Sequence, residues 1–169
     1  MPAHAVNQLR FVAVDQGDPL AEPLLAELAL EYANRYRAPV EAMAKWLRTY
    51  PVAEFAAPGG AMLIGLCDAH PVTGGAFRRF DAQTAELKRI WTDSRYRRQG
   101  YAKEAVAALF DWAYRTHGIE RFVASISPTN EPSLGLASQF GFVQVGEQMD
   151  DIDGLELVFE TTWPQSTSR

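Results

Sequence analysis

The sequence has a single cysteine, Cys67, so no disulfide within the chain can stabilise its fold. Its histidines, His4, His70 and His117, are scattered without metal-ligand spacing, and no metal site is predicted. No apolar run approaches the roughly 18 residues of a membrane-spanning helix, and the N-terminus lacks the apolar core of a signal peptide. We therefore expect a cytoplasmic protein without a membrane partner.

Two common nucleotide-binding motifs are also missing. No Gly-Lys-Ser/Thr is present, which excludes an NTP-binding P-loop, and no Gly-x-Gly-x-x-Gly follows a strand, which excludes the dinucleotide fingerprint. The net charge of −5 argues against nonspecific binding to nucleic acid. This excess of acidic residues would favour a cationic substrate as acceptor of a transferred group, although the need for solubility alone also explains it.

The chain does contain enough apolar material for a core. Its 47% hydrophobic and 22% charged residues are typical of a globular domain, and 169 residues suffice for one. We predict a single domain over residues 1–163, followed by a polar tail at 164–169. Cys67 lies in an apolar run, so we interpret it as a core residue.

Hydrophobic periodicity predicts an α/β fold. Strands are expected near residues 9–14, 61–67, 71–80, 84–92, 121–126, 142–148 and 154–162, and helices near 20–36, 40–47, 101–116 and 131–140. Asp68 to Pro71 is typical of a hairpin turn, and Gly74-Gly75 within a strand suggests a bulge. Because a helix connects the strands at 84–92 and 121–126, these two should run parallel in a mixed, mostly antiparallel sheet with helices on both faces.

Residues 97–102, Arg-Arg-Gln-Gly-Tyr-Ala, join the strand at 84–92 to the next helix. The first amide N–H groups of a helix have no partner within it and lie at the positive end of its dipole. Gly100 lets a ligand approach the backbone, and the arginines add positive charge. The loop is therefore a predicted phosphate or pyrophosphate site. The alternative is a solvated basic loop that only caps the helix.

The loop pattern Arg/Gln-x-x-Gly-x-Gly/Ala, here Arg97, Gly100 and Ala102, resembles the acetyl-CoA loop of the GNAT superfamily of N-acetyltransferases. Asn-Glu-Pro-Ser at 130–133, followed by Gly-Phe at 141–142, looks like the family's second marker and is closest to the branch of ribosomal-protein N-terminal acetyltransferases. The resemblance covers most of the chain. It implies a GNAT-like fold and transfer of an acetyl group from acetyl-CoA to a primary amine by direct attack.

The resemblance also implies how acetyl-CoA binds. The strands at 84–92 and 121–126 would splay apart, and the pantetheine arm would enter the gap like an extra strand; an unbroken parallel pair is the alternative. Asn130 would bond the CoA arm, or cap the helix at 131–140, or both. The backbone of Ile90, Trp91 and Thr92 would bind the arm and polarise the thioester. The pyrophosphate would be held by Arg97, Arg98, Gln99, Gly100, Tyr101, Ala102 and Lys103.

Glu86 is the predicted general base. A protonated amine must lose a proton before it attacks, and a strand carboxylate acting through water can accept that proton. Its position 11 residues before Arg97 is similar to that of the glutamate base in some GNAT enzymes. The alternative is a strand carboxylate that is paired with Lys88, Arg89 or Arg78.

The general acid of many family members, a tyrosine in the short helix, is replaced here by Ala137. A thiolate whose thiol has a pKa of ~8.5 is a fair leaving group. Ser133, Ser138 or water could protonate it, and we take Ser138 as the candidate catalytic residue. The missing tyrosine also supports a competing hypothesis, a noncatalytic acyl-CoA-binding regulatory module. Transfer of a longer acyl group is a third alternative, because nothing in the sequence sizes the acyl pocket.

The acceptor side is less specified. An acidic loop predicted at 147–154 would lie near the acceptor and attract an ammonium group, or would simply be a polar hairpin turn. The first two helices would form the opposite wall with Tyr32, Arg35, Tyr36 and Trp46. A polyamine, an amino acid, a drug and a peptide N-terminus all stay open as acceptors, and exposed edge strands make a homodimer conceivable.

Overall fold

The computed structural model describes residues 9–49, 52–56, 58–150 and 154–164. The tail from 165 onward and residues 151–153 of the predicted acidic loop lie outside these ranges. The strands are β1 Leu9–Ala13, β2 Gly60–Cys67, β3 His70–Arg79, β4 Thr84–Thr92, β5 Arg121–Ile126, β6 Val143–Asp150 and β7 Gly154–Thr162. The α-helices are α1 Glu22–Tyr36, α2 Val40–Thr49, α3 Tyr101–His117 and α4 Glu131–Gln139.

The strands form one sheet in the order β1-β2-β3-β4-β5-β7-β6. Every neighbouring pair is antiparallel except β4 and β5, which are parallel. This confirms the predicted mixed sheet. Consecutive residues of β2, Met62 and Leu63, enter separate cores, because side chains alternate between the two faces of a strand. One core lies against α1 and α2, the other against α3 and α4.

Helix α3 confirms the helix predicted at 101–116 and is one residue longer. It begins after Gly100 and ends before Gly118, both in the left-handed region. Its buried stripe centres on Phe110, which is fully buried. The Phe110 ring lies 4.3 to 6.1 Å between centroids from four other aromatic rings, those of Phe122, Phe140, Phe142 and Trp163.

Strands β4 and β5 splay apart as predicted. Their register pairs only Thr84, Ala85 and Glu86 of β4 with the first three residues of β5. Beyond that point β4 runs on to Thr92 and β5 to Ile126 without pairing to each other. The backbone edges that face each other across this gap are therefore open to a ligand.

A β-bulge interrupts the pairing of β3 and β4 next to the gap. The register shifts between Gly74 and Ala76, so that Gly75 lies opposite two residues of β4, Arg89 and Ile90. The paired glycines correctly predicted this irregularity, but the extra residue belongs to β4. A Cβ on Gly75 would lie 2.7 Å from Cδ1 of Ile90, so a larger residue here would require that side chain to move.

Arg89 fixes the bulge from the side of α1 and α2. Its backbone has a φ of 58°, which is unusual for a residue other than glycine. Its buried guanidinium donates to the side chain of Gln16 and, at 3.1 Å, to the carbonyl of Leu47, and it lies 4.7 Å from the ring centroid of Phe55. The helical layer and the shape of β4 are thus directly connected.

The prediction of an acidic loop at 147–154 is wrong, because most of these residues belong to strands. β6 continues to Asp150, and Asp150 pairs with Gly154 at the start of β7. An edge strand exposed on both sides tolerates charged side chains, and its composition therefore resembles that of a loop. The hairpin after β2 is also tighter than predicted, with only Asp68 and Ala69 between the strands, both at positive φ.

Among the described residues, the helices are too short or too polar to cross a membrane.

Candidate active site

A cavity of about 340 Å³ lies where β4 and β5 diverge. Leu87–Ile90 line it on one side and Ala124–Ser127 on the other. Side chains of α1 and α2 close one end and those of α4 the other, so the cavity passes through the sheet. This volume is that of a typical small-molecule site.

The loop predicted to bind phosphate follows the same end of β4. Gly100 is the N-cap of α3 with a φ of 82°, and a Cβ added there would have no atom within 4 Å. Arg98 also has a positive φ of 66°, and Arg98 and Lys103 are exposed. The first amide groups of a 17-residue helix are thus presented next to free surface and to two cations.

The side chains of two other loop residues, Arg97 and Tyr101, make contacts within the protein. Nε of Arg97 donates to the carbonyl of Thr92 at 3.3 Å, which ties the loop back to β4. The side chain of Tyr101 is buried, with its hydroxyl 3.8 Å from Sγ of Cys67. The contact with Cys67 and burial raise the pKa of the Tyr101 hydroxyl. At Tyr101, therefore, only the backbone N–H is available to a ligand.

Asp93 anchors the start of the loop, and the sequence analysis missed this residue. It is 7% exposed, and its Oδ1 accepts from the backbone N of Arg95 at 2.9 Å while Oδ2 accepts from the Arg95 guanidinium at 3.1 Å. Its own N–H donates to the carbonyl of Val72 at 2.8 Å. The Arg95 side chain holds the pKa of Asp93 below its ordinary value of 3.8. An aspartate between a strand and a short polar turn is a common capping residue, and this position could have identified Asp93 in the sequence.

Asp93→Ala is expected to lower the free energy of unfolding by about 1–2 kcal/mol at neutral pH, because the backbone N–H and the guanidinium of Arg95 lose their acceptor. A carboxyl group with a depressed pKa stabilises the fold fully above its ordinary value of 3.8, and this contribution is lost as the pH falls through the lower value. The difference in Tm between wild type and variant should therefore shrink below pH 4, roughly. Thermal unfolding from pH 3 to 7 measures it; a difference that grows in acid would contradict the assignment.

The three residues predicted to bind the pantetheine arm are placed differently. Ile90 lines the cavity. The Trp91 side chain is buried against α1, where its Nε1 donates to Oε1 of Glu27 at 3.0 Å. The Trp91 carbonyl accepts from Oγ1 of Thr73 at 2.7 Å, and the Thr92 carbonyl accepts from Arg97.

Helix α4 brings some of its predicted residues to the cavity and not others. Asn130 lines the cavity, and its Oδ1 also accepts from the N–H of Ser133 at 3.3 Å, so the capping role is confirmed and leaves ligand contact possible. Ser133 and Ala137 line the cavity as well. Ser138 is exposed and is not among the lining residues. Its catalytic role stays a prediction.

Glu86 is buried at the last paired position before the gap. Its Oε1 accepts from Nε of Arg78 at 2.8 Å, and its Oε2 lies 3.7 Å from Nζ of Lys88. Arg78 also bonds Glu54 at 2.6 Å. Two of the three ion-pair partners offered as the alternative are therefore present, and Glu86 is not among the residues that line the cavity. Its role as general base stays a prediction.

A further carboxylate, which the sequence analysis did not single out, does line the cavity. Glu156 of β7 is 8% exposed, and its Oε1 accepts from Nε2 of Gln148 at 3.1 Å. The same Nε2 lies 3.0 Å from Oγ of Ser125, which also lines the cavity. A glutamate between two leucines in a predicted strand was the available signal, because a charge that is buried there needs a partner or a ligand.

Fold and cavity together define an α/β domain with a splayed parallel strand pair. Residues 9–143 match the family model of the acetyltransferase (GNAT) domain. The chain therefore belongs to the GNAT family of acetyltransferases, as its motifs predicted.

Curated relatives match a shorter stretch. Over 67 residues the chain is 37% identical to an N-acetyltransferase 9-like protein of Caenorhabditis elegans. The matched stretch is 39% of this chain and 33% of that protein. The corresponding protein of Nematostella vectensis is 31% identical over 67 residues, or 40% and 34% of the two chains. The matched part thus spans about a third of the length of these relatives.

Solved structures confirm the fold over nearly the whole chain. An acetyltransferase from Streptococcus agalactiae superposes with a TM-score of 0.70 at 18% identity, covering 91% of this chain and 98% of that one. RimL, the ribosomal L7/L12 alpha-N-protein acetyltransferase in complex with coenzyme A, gives 0.69 at 17%, covering 91% and 93%. A GNAT acetyltransferase from Elizabethkingia anophelis with acetyl-CoA bound gives 0.62 at 12%, covering 91% and 97%. At such identities the likeness concerns the fold alone.

Proposed function

We propose that this chain transfers an acetyl group from acetyl-CoA to a primary amine by direct attack. The observation that carries the proposal is the cavity between β4 and β5, at the end of β4 from which the basic loop leads into α3. One coenzyme A molecule can place its thioester in the cavity and its pyrophosphate at the helix N-terminus only if both lie at the same end of the sheet. In support, the gap opens after Glu86 of β4, and the basic loop follows the C-terminal end of the same strand.

The described residues fit coenzyme A. The amide groups of Gly100, Ala102 and Lys103 would hold the pyrophosphate, with Arg97 and Arg98 adding charge. The open edges of β4 and β5 beyond Glu86 offer backbone donors and acceptors to an amide-bearing chain. Gln99 and Tyr101 would contribute their backbone to the same loop. The remaining contacts assigned by the proposal are the backbone of Ile90, Trp91 and Thr92 and the side chain of Asn130.

The bound cofactor would supply an activated thioester, and the protein would orient the amine and remove its proton. Glu86 was predicted as the acceptor of that proton, which from its position would require water between carboxylate and amine. The leaving thiolate would take a proton from water, Ser133 or Ser138; of the two serines, Ser133 lines the cavity. With Ala137 in place of a tyrosine, helix α4 contributes no phenol to the cavity wall.

The test is a thiol-release assay with acetyl-CoA and a panel of polyamines, arylalkylamines, amino acids and peptides. We expect CoA release that depends on the amine, together with saturable CoA binding by calorimetry. Propionyl- and octanoyl-CoA in the same assay determine the acyl specificity. Binding of acetyl-CoA without turnover of any amine would instead support the noncatalytic module, which the missing tyrosine favours. Absence of CoA binding would overturn the site itself.

A further inference from the structure

The side chain of Thr73 on β3 reaches both ends of the segment that joins β4 to α3. This segment, residues 93–100, is called the connecting loop below. Thr73 is fully buried. Its Oγ1 donates to the carbonyl of Trp91, near the end of β4, at 2.7 Å and lies 3.4 Å from the carbonyl of Tyr101, the first residue of α3. A single oxygen atom on β3 therefore contacts the chain on both sides of the connecting loop.

The hydrogen bonds around this hydroxyl have a definite direction. A threonine hydroxyl has one proton to donate and can accept as well. The short distance assigns the Thr73 proton to the Trp91 carbonyl, so Oγ1 of Thr92, 3.1 Å away, donates its own proton to Oγ1 of Thr73. The side chain of Thr73 thus connects two consecutive residues of β4. The first turn of α3 lies against the same oxygen at the longer distance of 3.4 Å.

The backbone of β3 fixes the start of the connecting loop at the same place. Thr73 pairs with Thr92 in the sheet, and the carbonyl of Val72 accepts from the N–H of Asp93 at 2.8 Å. Packing alone would be served equally well by valine, which has the shape of threonine and suits a strand. A buried hydroxyl costs free energy unless it is bonded, so its value at this position lies in the bonds that it makes.

The connecting loop needs such support because its conformation is unfavourable by itself. Arg98 and Gly100 both have positive φ, and a residue other than glycine keeps such a conformation only where the surroundings determine it. The amide groups at the start of α3 can meet an anion only if the helix begins at a fixed place relative to β4. A loop that already has this shape loses less entropy when a ligand binds.

We propose that Thr73 is a positioning residue for the connecting loop. Its hydroxyl holds the end of β4 and the start of α3 at the spacing at which the amide groups of Gly100, Ala102 and Lys103 can meet a pyrophosphate. The consequence for cofactor affinity rests on the proposed function. The effect on the loop itself is a property of the protein without ligand.

Thr73→Val is the test, because valine keeps the shape and removes the hydroxyl. We expect calorimetry to show a Kd for CoA that is raised roughly 10-fold. In hydrogen exchange of the ligand-free protein, the amides of residues 93–103 should exchange at least roughly 5-fold faster than in wild type. Thr73→Ser keeps the hydroxyl and should stay within about twofold of wild type in both measurements.

The serine variant distinguishes positioning from a general loss of stability. The Thr73 methyl group packs near Gly65, where an added Cβ would lie 2.7 Å from it. Its removal leaves a small cavity, so Thr73→Ser should lower Tm by roughly 2–4 °C, as the lost hydrogen bond does in Thr73→Val. Both variants are thus less stable, but only the valine variant should bind CoA more weakly and exchange faster in the loop.

Thr161→Val is the matched control. Thr161 is also a buried strand threonine, and its Oγ1 donates to the carbonyl of Phe140 at 2.9 Å. It pairs with Phe122 of β5, at the end of that strand opposite to the gap. The variant loses an equivalent buried hydrogen bond and should leave both CoA affinity and loop exchange within about twofold of wild type.

Each outcome decides between this inference and the function on which it rests. CoA affinity and loop exchange that Thr73→Val leaves unchanged, or that the valine and serine variants alter alike, would overturn the role of Thr73 and leave acetyl transfer standing. If the wild type binds no CoA, acetyl transfer fails, and loop exchange in the ligand-free protein decides the role of Thr73 alone. If Thr73→Val does not fold, Thr73→Ala against Thr73→Ser makes the same comparison, because these two variants differ only in the hydroxyl.

Discussion

Gly100→Glu is expected to abolish CoA binding, raising the Kd by roughly 100-fold or more. The space around a Cβ at Gly100 is empty in the folded protein, so the loss would come from the ligand and not from a clash within the chain. In that space the pyrophosphate would meet the first amide groups of α3. A carboxylate would repel the phosphates and occupy their volume. Calorimetric titration with CoA measures the effect.

The control for this variant lies at the other end of the same helix. Gly118 caps the C-terminus of α3 with a φ of 69°, against 82° at Gly100, and a Cβ there also has open space. Gly118→Glu therefore introduces the same charge and a similar backbone strain of about 1–2 kcal/mol, but far from the loop. It should bind CoA like wild type. Unchanged CoA affinity in Gly100→Glu would remove the basis for placing the pyrophosphate at this loop.

Phe110→Ala is expected to cause the largest loss of stability, about 3–5 kcal/mol in the free energy of unfolding. Its ring is fully buried and packs against Phe122 of β5, 4.3 Å away, and against three rings that follow or flank α4 and β7. Truncation would leave a cavity between α3 and the sheet. The corresponding fall in Tm is roughly 10 °C, which urea and thermal unfolding can both measure.

Tyr114→Ala provides the comparison for Phe110→Ala. It also removes an aromatic ring, one turn further along α3, but that ring is 38% exposed. We expect a change below about 1 kcal/mol. Equal losses in the two variants would mean that the aromatic cluster does not hold α3 against the sheet.

Local signals were sufficient to predict the unit that carries the proposed cofactor site. Strand β4, the loop and α3 were correctly delimited, because a period of two, a glycine at positive φ and a period of 3.6 are each determined by neighbouring residues. The parallel pairing with β5 followed from the connecting helix. The cap at Asn130 is equally local, since its carboxamide accepts from a backbone group three residues away.

Local signals of this kind do not predict which residues pair across the sheet. Whether Glu86 would meet Arg78, Lys88 or Arg89 depended on the register of β3 and β4 and on the bulge between them. The length of β6 depended on its pairing with β7, and exposed charges hid it. Which serine of α4 faces the cavity depended on how that helix packs.

The sequence by itself determined the GNAT family, the mixed sheet and the position of the loop proposed to hold the pyrophosphate, because these follow from motifs, short-range periodicity and residues adjacent in the chain. Only the tertiary structure decided that Glu156 reaches the cavity and Glu86 does not. β7 lies between β5 and β6, so Gln148 meets Ser125 across 23 residues of chain and orients Glu156. Such an arrangement is set by strand order and register, which are properties of the packed sheet and not of any single segment.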